Sequence, residues 1–293
     1  MELYSSLISK KTYFALLSIL LSIGLASCNK ADPEDGYKVK YIERHIRQGH
    51  DHRAIFTWDN YNQLLAELSK EKYIVLPVHE FIDSINDSKV VICLRHDVDV
   101  HIFKAIEMAE MEMLHGIRST YFILGTAFYY GEFRYGIMYR NKCMEEYYLK
   151  LYNLGHEIGI HNDLISVMIE FGCDPKEFNQ SEISFYNSLG IPIYGNVAHG
   201  SEIASQTLAN YTIFSDFTDR TSITYNGVEY PVGIMSLAEA GYIYEANFIN
   251  YNKYFADNGN FNNDFNFLIS SLENSTPGDR IEILAHPVWW GKE

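Results

Sequence analysis

Five side chains of kinds that bind cations or carry protons stand at or just past the ends of apolar stretches: Asp97, Asp99, His161, His199 and His286. Val90 to Leu94 runs without polar alternation, as a strand covered on both faces of a parallel sheet does, and leads into Arg95-His-Asp-Val-Asp99. In extended backbone, residues two apart point the same way, so Asp97 and Asp99 are expected to face one site. Two carboxylates so placed repel unless a cation or a shared proton lies between them. The segment His156-Glu-Ile-Gly-Ile-His161 is a short apolar strand closing on an imidazole; Ile191 to Ala198 stops at His199, and Ile281-Glu-Ile-Leu-Ala285 stops at His286. Taken singly, each residue is as well explained by a turn or a satisfied structural role. Four strand ends that all carry ligands or proton carriers point further, because parallel α/β folds gather their chemistry at the carboxyl ends of the strands.

The elements that must position these groups alternate along the whole chain. Ala54 to Thr57 and Tyr73 to Leu76 read as strands, with helical patterns over Trp58 to Lys70 and Val78 to Ile85. After Asp99 the period becomes helical, with Ile102, Ala105, Ile106, Ala109, Met113 and Leu114 on one stripe closed by Gly116. Ser119 to Leu124 is a strand, Gly125 to Tyr139 a long aromatic loop, and Asn141 to Leu154 a helix. A helix starts at Pro175 behind Asp174 and ends at Leu189 before Gly190. Tyr211 to Phe217 and Gly241 to Ala246 are expected as strands, Leu237 to Ala240 and Asn263 to Leu272 as helices. With no internal repeat, this alternation predicts a single α/β domain over residues 51–293, built on a parallel sheet or an open α/β barrel. His156 at a strand start, and His96 and His101 beside the acids, are expected to be structural, and His50 and His52 to lie in a polar loop.

Composition narrows the class of partner. The chain has 293 residues and a formal charge of −15, with 23 Lys and Arg against 38 Asp and Glu, which excludes nucleic acid because phosphate binding requires basic patches. Four cysteines at wide spacing form neither a disulfide framework nor a zinc knuckle, and Cys93 sits inside the buried strand. Lys10 and Lys11 precede an apolar stretch from Tyr13 to Ala26, shorter than the ~20 residues that span a bilayer, so residues 1–27 read as a signal peptide. Leu25-Ala-Ser-Cys28 resembles a bacterial lipobox, which implies lipidation at Cys28 and a membrane partner through that anchor. Residues 28–50 then form a polar, turn-rich tether and extension. The expected location is the cell envelope, at the outer membrane or cell surface.

Leu94-Arg-His-Asp-Val-Asp99, Gly155-His-Glu-Ile-Gly-Ile-His161 and Ile283-Leu-Ala-His286 stand in the order of three motifs of the polysaccharide deacetylase superfamily, which the chain resembles (carbohydrate esterase family 4, the NodB homology domain). The resemblance implies a distorted (β/α) barrel that holds a divalent metal, most often zinc, and removes N- or O-acyl groups from a glycan. The family's acids are adjacent, whereas Val98 separates Asp97 from Asp99; its second ligand histidine falls four residues after the first, where this chain has Ile165. The vacant coordination then passes to His199 or Asp163, with His199 preferred because neutral imidazole suits zinc while Asp163 fits a turn. On that assignment Asp99, His161 and His199 are metal ligands, Asp97 is the base and His286 the acid. Arg95 holds an acid ionised or forms a surface ion pair near substrate; Trp289 and Trp290 either stack on a sugar or plug the barrel end. The expected activity is deacylation of a cell-envelope or extracellular polysaccharide. The alternatives are a glycan-binding lipoprotein on the same fold without catalysis, and a hydrolase of a non-sugar amide.

Overall fold

The apolar run that opens the first motif becomes a nine-residue strand, Val90–Val98, buried along its whole length. The computed structural model describes residues 54–262 and 264–292. The signal peptide, Cys28, the tether, His50, His52 and the first residues of the expected domain lie outside the described residues. In chain order the first elements are β1 (Phe56–Thr57), α1 (Trp58–Leu68), β2 (Tyr73–Leu76), α2 (Val78–Phe81), β3 (Val90–Val98), α3 (Ile102–Leu114) and β4 (Thr120–Leu124). There follow β5 (Gly131–Arg134), β6 (Ile137–Arg140), α4 (Glu145–Asn153), β7 (Glu157–Asn162), α5 (Leu164–Phe171), α6 (Pro175–Ser188), β8 (Gly195–Ala198) and α7 (Glu202–Gln206). The remainder comprises β9 (Ser222–Tyr225), β10 (Val228–Pro231), β11 (Tyr244–Glu245), β12 (Lys253–Ala256), α8 (Phe265–Glu273), β13 (Arg280–Ala285) and β14 (Trp290–Lys292). Among the described residues no helix is long and apolar enough to cross a membrane.

The α/β expectation holds at the level of a curled, parallel half-barrel, a shape compatible with a distorted barrel. Its strands run β11-β8-β7-β4-β3-β13-β12, with β2 also paired to β3. β13 runs along β3 from Arg280 opposite Val91 to Ala285 opposite His96. β2 takes the lower half of β3, Val90 to Cys93, and β4 the upper half, Arg95 to Val98. Alternate residues of β3 therefore enter different layers. Val90, Ile92 and Leu94 pack outward with Leu64, Leu65 and Leu68 of α1 and Leu268 and Leu272 of α8. Val91 and Cys93 pack inward with Phe122, Val197 and Tyr244. Arg95, Asp97 and Asp99 continue the inward series, so the concave face turns from apolar to charged at its carboxyl end.

That concave face is filled by rings lying over glycines. A Cβ on Gly159 would come within 2.4 Å of the Phe122 ring, and one on Gly195 within 2.2 Å of the Tyr244 ring. Packing these two aromatics against bare backbone lets β7 and β8 close in on their neighbours. Helix starts follow local chemistry: Thr57 and Asn60 form a reciprocal cap on α1, and Asp174 accepts from the backbone N–H of Lys176 and Glu177 ahead of Pro175.

Several expected elements differ. Tyr211 to Phe217 forms two 3-10 turns, Asn210–Ile213 and Ser215–Phe217, because the buried Asn210 side chain pins the backbone at Ile165 and His199 and successive Ile213 and Phe214 are both buried. Leu237 to Ala240 is a turn, and of Gly241 to Ala246 only Tyr244–Glu245 pairs as a strand, with Gly195 and Asn196 of β8. The loop after Gly125 contains the β5/β6 hairpin, whose tip is made by Tyr135 and Gly136, both at positive φ (53° and 76°). α5, α7, β9, β10, β12 and β14 have no counterpart among the expected elements. β1 pairs with β14, outside the main sheet.

Candidate metal centre

Register brings the strand ends together. Ala285 lies opposite His96, which sets His286 level with Asp97. Leu124 lies opposite His161, and His161 opposite Val197, two residues before His199. Asp99 Oδ1 is 3.2 Å from His161 Nε2 and 3.4 Å from His199 Nδ1, and the two nitrogens are 3.2 Å apart. Among the described residues this trio is the group able to hold a metal ion. A hydrogen bond between the imidazoles satisfies two of the three atoms and leaves Asp99 Oδ1, which is buried and aligned for a hydrogen bond with neither ring. A cation satisfies all three at once.

The supports of the trio are fixed by hydrogen bonds. His161 Nδ1 lies 3.0 Å from the Val197 carbonyl, so its proton resides there and Nε2 turns a lone pair inward. The His199 backbone donates to the Asn162 carbonyl at 2.7 Å, and its own carbonyl accepts from Asn210 Nδ2 at 2.9 Å. Asp163, the alternative ligand, is engaged elsewhere: Oδ1 accepts from Asn210 at 3.0 Å and Oδ2 from Thr126 at 2.8 Å. Ile165 is buried in α5, its N–H donating to Asn210 Oδ1. Burial opposes the ionised form of Asp99, yet His161, His286 and His199 bring its carboxyl down to about 2. Burial and the neighbouring His161 push His199 down; against burial, Asp97 and Asp99 push His161 up.

On the β3/β13 side every titratable group has a partner. Arg95 is buried and clamps Asp97 at both oxygens, Nε to Oδ1 and Nη2 to Oδ2 at 3.2 Å each, while Nη1 reaches Glu282 at 2.7 Å. Although burial works to raise it, Asp97 is held below the ordinary carboxylate value by Arg95, His161 and His286. Arg95 is thus an internal clamp, and the expectation of a surface ion pair or substrate contact is corrected by its burial. Glu282, beneath it, is pushed up to about 7 by burial. His286 Nδ1 sits 2.7 Å from Asp257 Oδ1, its backbone N–H donates to Asp257 Oδ2 at 2.6 Å, and Trp290 Nε1 donates to the same oxygen at 3.0 Å. Burial would lower His286, but Asp257, with Asp97 and Asp99, raises it to about 9.

The tryptophans do not line this mouth as a pair. Trp290 is fully buried against Phe56, Tyr61 and Phe265, with no face free for a sugar, and Trp289 is half-buried against the same outer core. His96 and His156 are structural as expected. Both meet Glu112, a fully buried acid that also accepts from Tyr61, Ser119 and Tyr121.

Sequence reasoning missed Asp257, Glu282 and Asn210. Asp257 follows Tyr254-Phe-Ala256, a strand end of the same kind as the other four, so the rule that found His286 reaches it too. Glu282 and Arg95 were marked by charge inside apolar strands; Asn210 carries no comparable signal. No family model, curated protein or solved structure matches this chain.

Proposed function

We propose that this protein is a metal-dependent hydrolase that removes N- or O-acyl groups from a polysaccharide, related to the polysaccharide deacetylases and lipid-anchored in the cell envelope through Cys28. The observation that carries the reading is the triangle of Asp99 Oδ1, His161 Nε2 and His199 Nδ1, with edges of 3.2 to 3.4 Å. Two imidazoles and a carboxylate suit zinc, and bonds of about 2.0–2.1 Å to a tetrahedral ion separate its ligands by roughly 3.4 Å. A divalent ion there would supply Lewis acidity, lowering the pKa of water and polarising an acyl carbonyl.

The chain's own groups divide the remaining work. Asp97, kept ionised by Arg95, accepts the proton of the attacking water. His286, kept protonated and oriented by Asp257, donates to the departing amine or alkoxide. Ile165 does not leave the ligand set short, since His199 completes it from the next strand, which favours catalysis over a binding-only protein. The test is metal content and acetate release: protein purified after addition of zinc or cobalt is expected to carry one ion per chain and to release acetate from an acetylated glycan. Protein that holds no ion under those conditions ends the proposal.

A further inference from the structure

Single exposed apolar residues are ordinary on a protein surface, but an exposed ring held in an aromatic cluster with two half-buried ones, beside a site, points to a ligand. Phe217 and Phe248 stack with ring centres 4.2 Å apart and 11° between planes, and Tyr211 stands edge-on to Phe248 at 4.9 Å and 89°. Phe248 nevertheless leaves 52% of its surface exposed. Both ends of the cluster are chained to the site. Tyr211 follows Asn210, which holds the His199 carbonyl, and Phe248 follows Asn247, whose Oδ1 lies 3.4 Å from the Arg95 guanidinium that grips Asp97. Asn247 is itself exposed, so an amide that also donates through Nδ2 to Glu245 Oε1 at 3.2 Å stands next to the exposed Phe248 ring.

We infer that Tyr211, Phe217 and Phe248 form a stacking platform for a pyranose ring of a neutral oligosaccharide, next along the chain from the unit whose acyl group is removed. This rests on the deacylase reading of the mouth. The C–H face of a pyranose carries small positive partial charges that complement the negative face of an aromatic ring, and the ring hydroxyls match the Asn247 amide. A chain of net charge −15, with Asp97 and Asp99 at the site, repels polyanions, and Tyr211, Phe217, Phe248 and Asn247 carry no charge to pair with a cationic sugar, so the occupant that fits is a neutral polymer. The platform lies on the β8/β11 side of the mouth.

Calorimetric titration of the full-length protein with chitopentaose, cellopentaose, mannopentaose and xylopentaose, against pentagalacturonate as the anionic control, tests the platform. At least one neutral sugar is expected to bind, Phe248→Ala to weaken it about tenfold, the equivalent of ~1.4 kcal/mol, and Phe248→Trp to retain it. Equal affinity in Phe248→Ala and the parent, equal loss in Phe248→Ala and Phe248→Trp, preference for the galacturonate, or binding of no neutral sugar overturns the platform. So does a sedimentation result in which Phe248→Ala splits a dimer of the parent. Repeating the titration after chelation separates the two ideas: ring-dependent binding by protein that holds no ion and releases no acetate removes the deacylase reading and keeps the platform. Ion-dependent acetate release without ring-dependent binding does the reverse.

Discussion

The two halves of the mouth are built on opposite plans. On the β7/β8 half, three donor atoms approach one another within 3.4 Å and the Asp99 oxygen among them is left without a hydrogen bond. On the β3/β13 half, each ionisable group is tied: Asp97 to Arg95, Arg95 to Glu282, His286 to Asp257, Asp257 to Trp290. Three ligand atoms gathered around an unsatisfied oxygen can hold an ion, whereas charged groups paired one to another, with Glu282 Oε2 the buried oxygen left over, keep a defined protonation state. Proximity in the sequence hides this division, since Asp97 and Asp99 sit two residues apart and serve different halves.

The sharpest way to break the contrast is to remove a ligand. Asp99→Ala and His161→Ala are each expected to lose stoichiometric zinc in equilibrium dialysis and to reduce acetate release to background; a full equivalent of retained zinc refutes the assignment. Asp97→Asn and His286→Ala are expected to keep the ion but lose about 10²–10⁴-fold in kcat, the usual worth of a general base or acid. Loss of metal in those variants would erase the distinction between the halves.

A finer cut is Asp257→Asn. His286 is held up to about 9 chiefly by Asp257, so the alkaline limb of kcat/KM is expected near that pH in the parent and to move toward ~6.5 in the variant. Because the folded value lies above that of free imidazole, the stability His286 contributes is complete below pH ~6.5 and fades as pH rises through about 9. Asp257→Asn should abolish that fade in urea denaturation followed across the same range. The smallest expected effect is Asn210→Ala, which frees the His199 carbonyl and should weaken metal affinity roughly tenfold or more in chelator competition, without touching the pH limbs.

Legibility in the sequence followed periodicity. β3, β7 and β13 are covered on both faces and so announce themselves as apolar runs, and the ionisable residues at their ends are readable by the same token. The stretch between His199 and β12 was misread where side chains, not backbone period, hold it: Asn210 reaches α5 and β8, and Glu245 accepts from the Ala198 and Asn247 backbone. Of the two roles open to Trp290, burial removes the stacking one, because neighbours in sequence need not share a face. After Pro287–Trp289 the chain turns out to pair with β1, carrying the indole into the outer core while its N–H still reaches Asp257. Asp257 itself is readable by the same rule, at the end of the short strand Lys253–Ala256.

Pairing of β3 with β13 also governs how the molecule comes into being. His96 and Ala285, joined by a hydrogen-bonding contact of 3.3 Å, are 189 residues apart in sequence. While the polypeptide is being made, the central strand therefore keeps one edge bare until a segment far downstream arrives, a topology that folds slowly and exposes an aggregation-prone border in the meantime. Shortened products ending before Arg280 would carry the two aspartates on an unfinished sheet, inviting capture by chaperones.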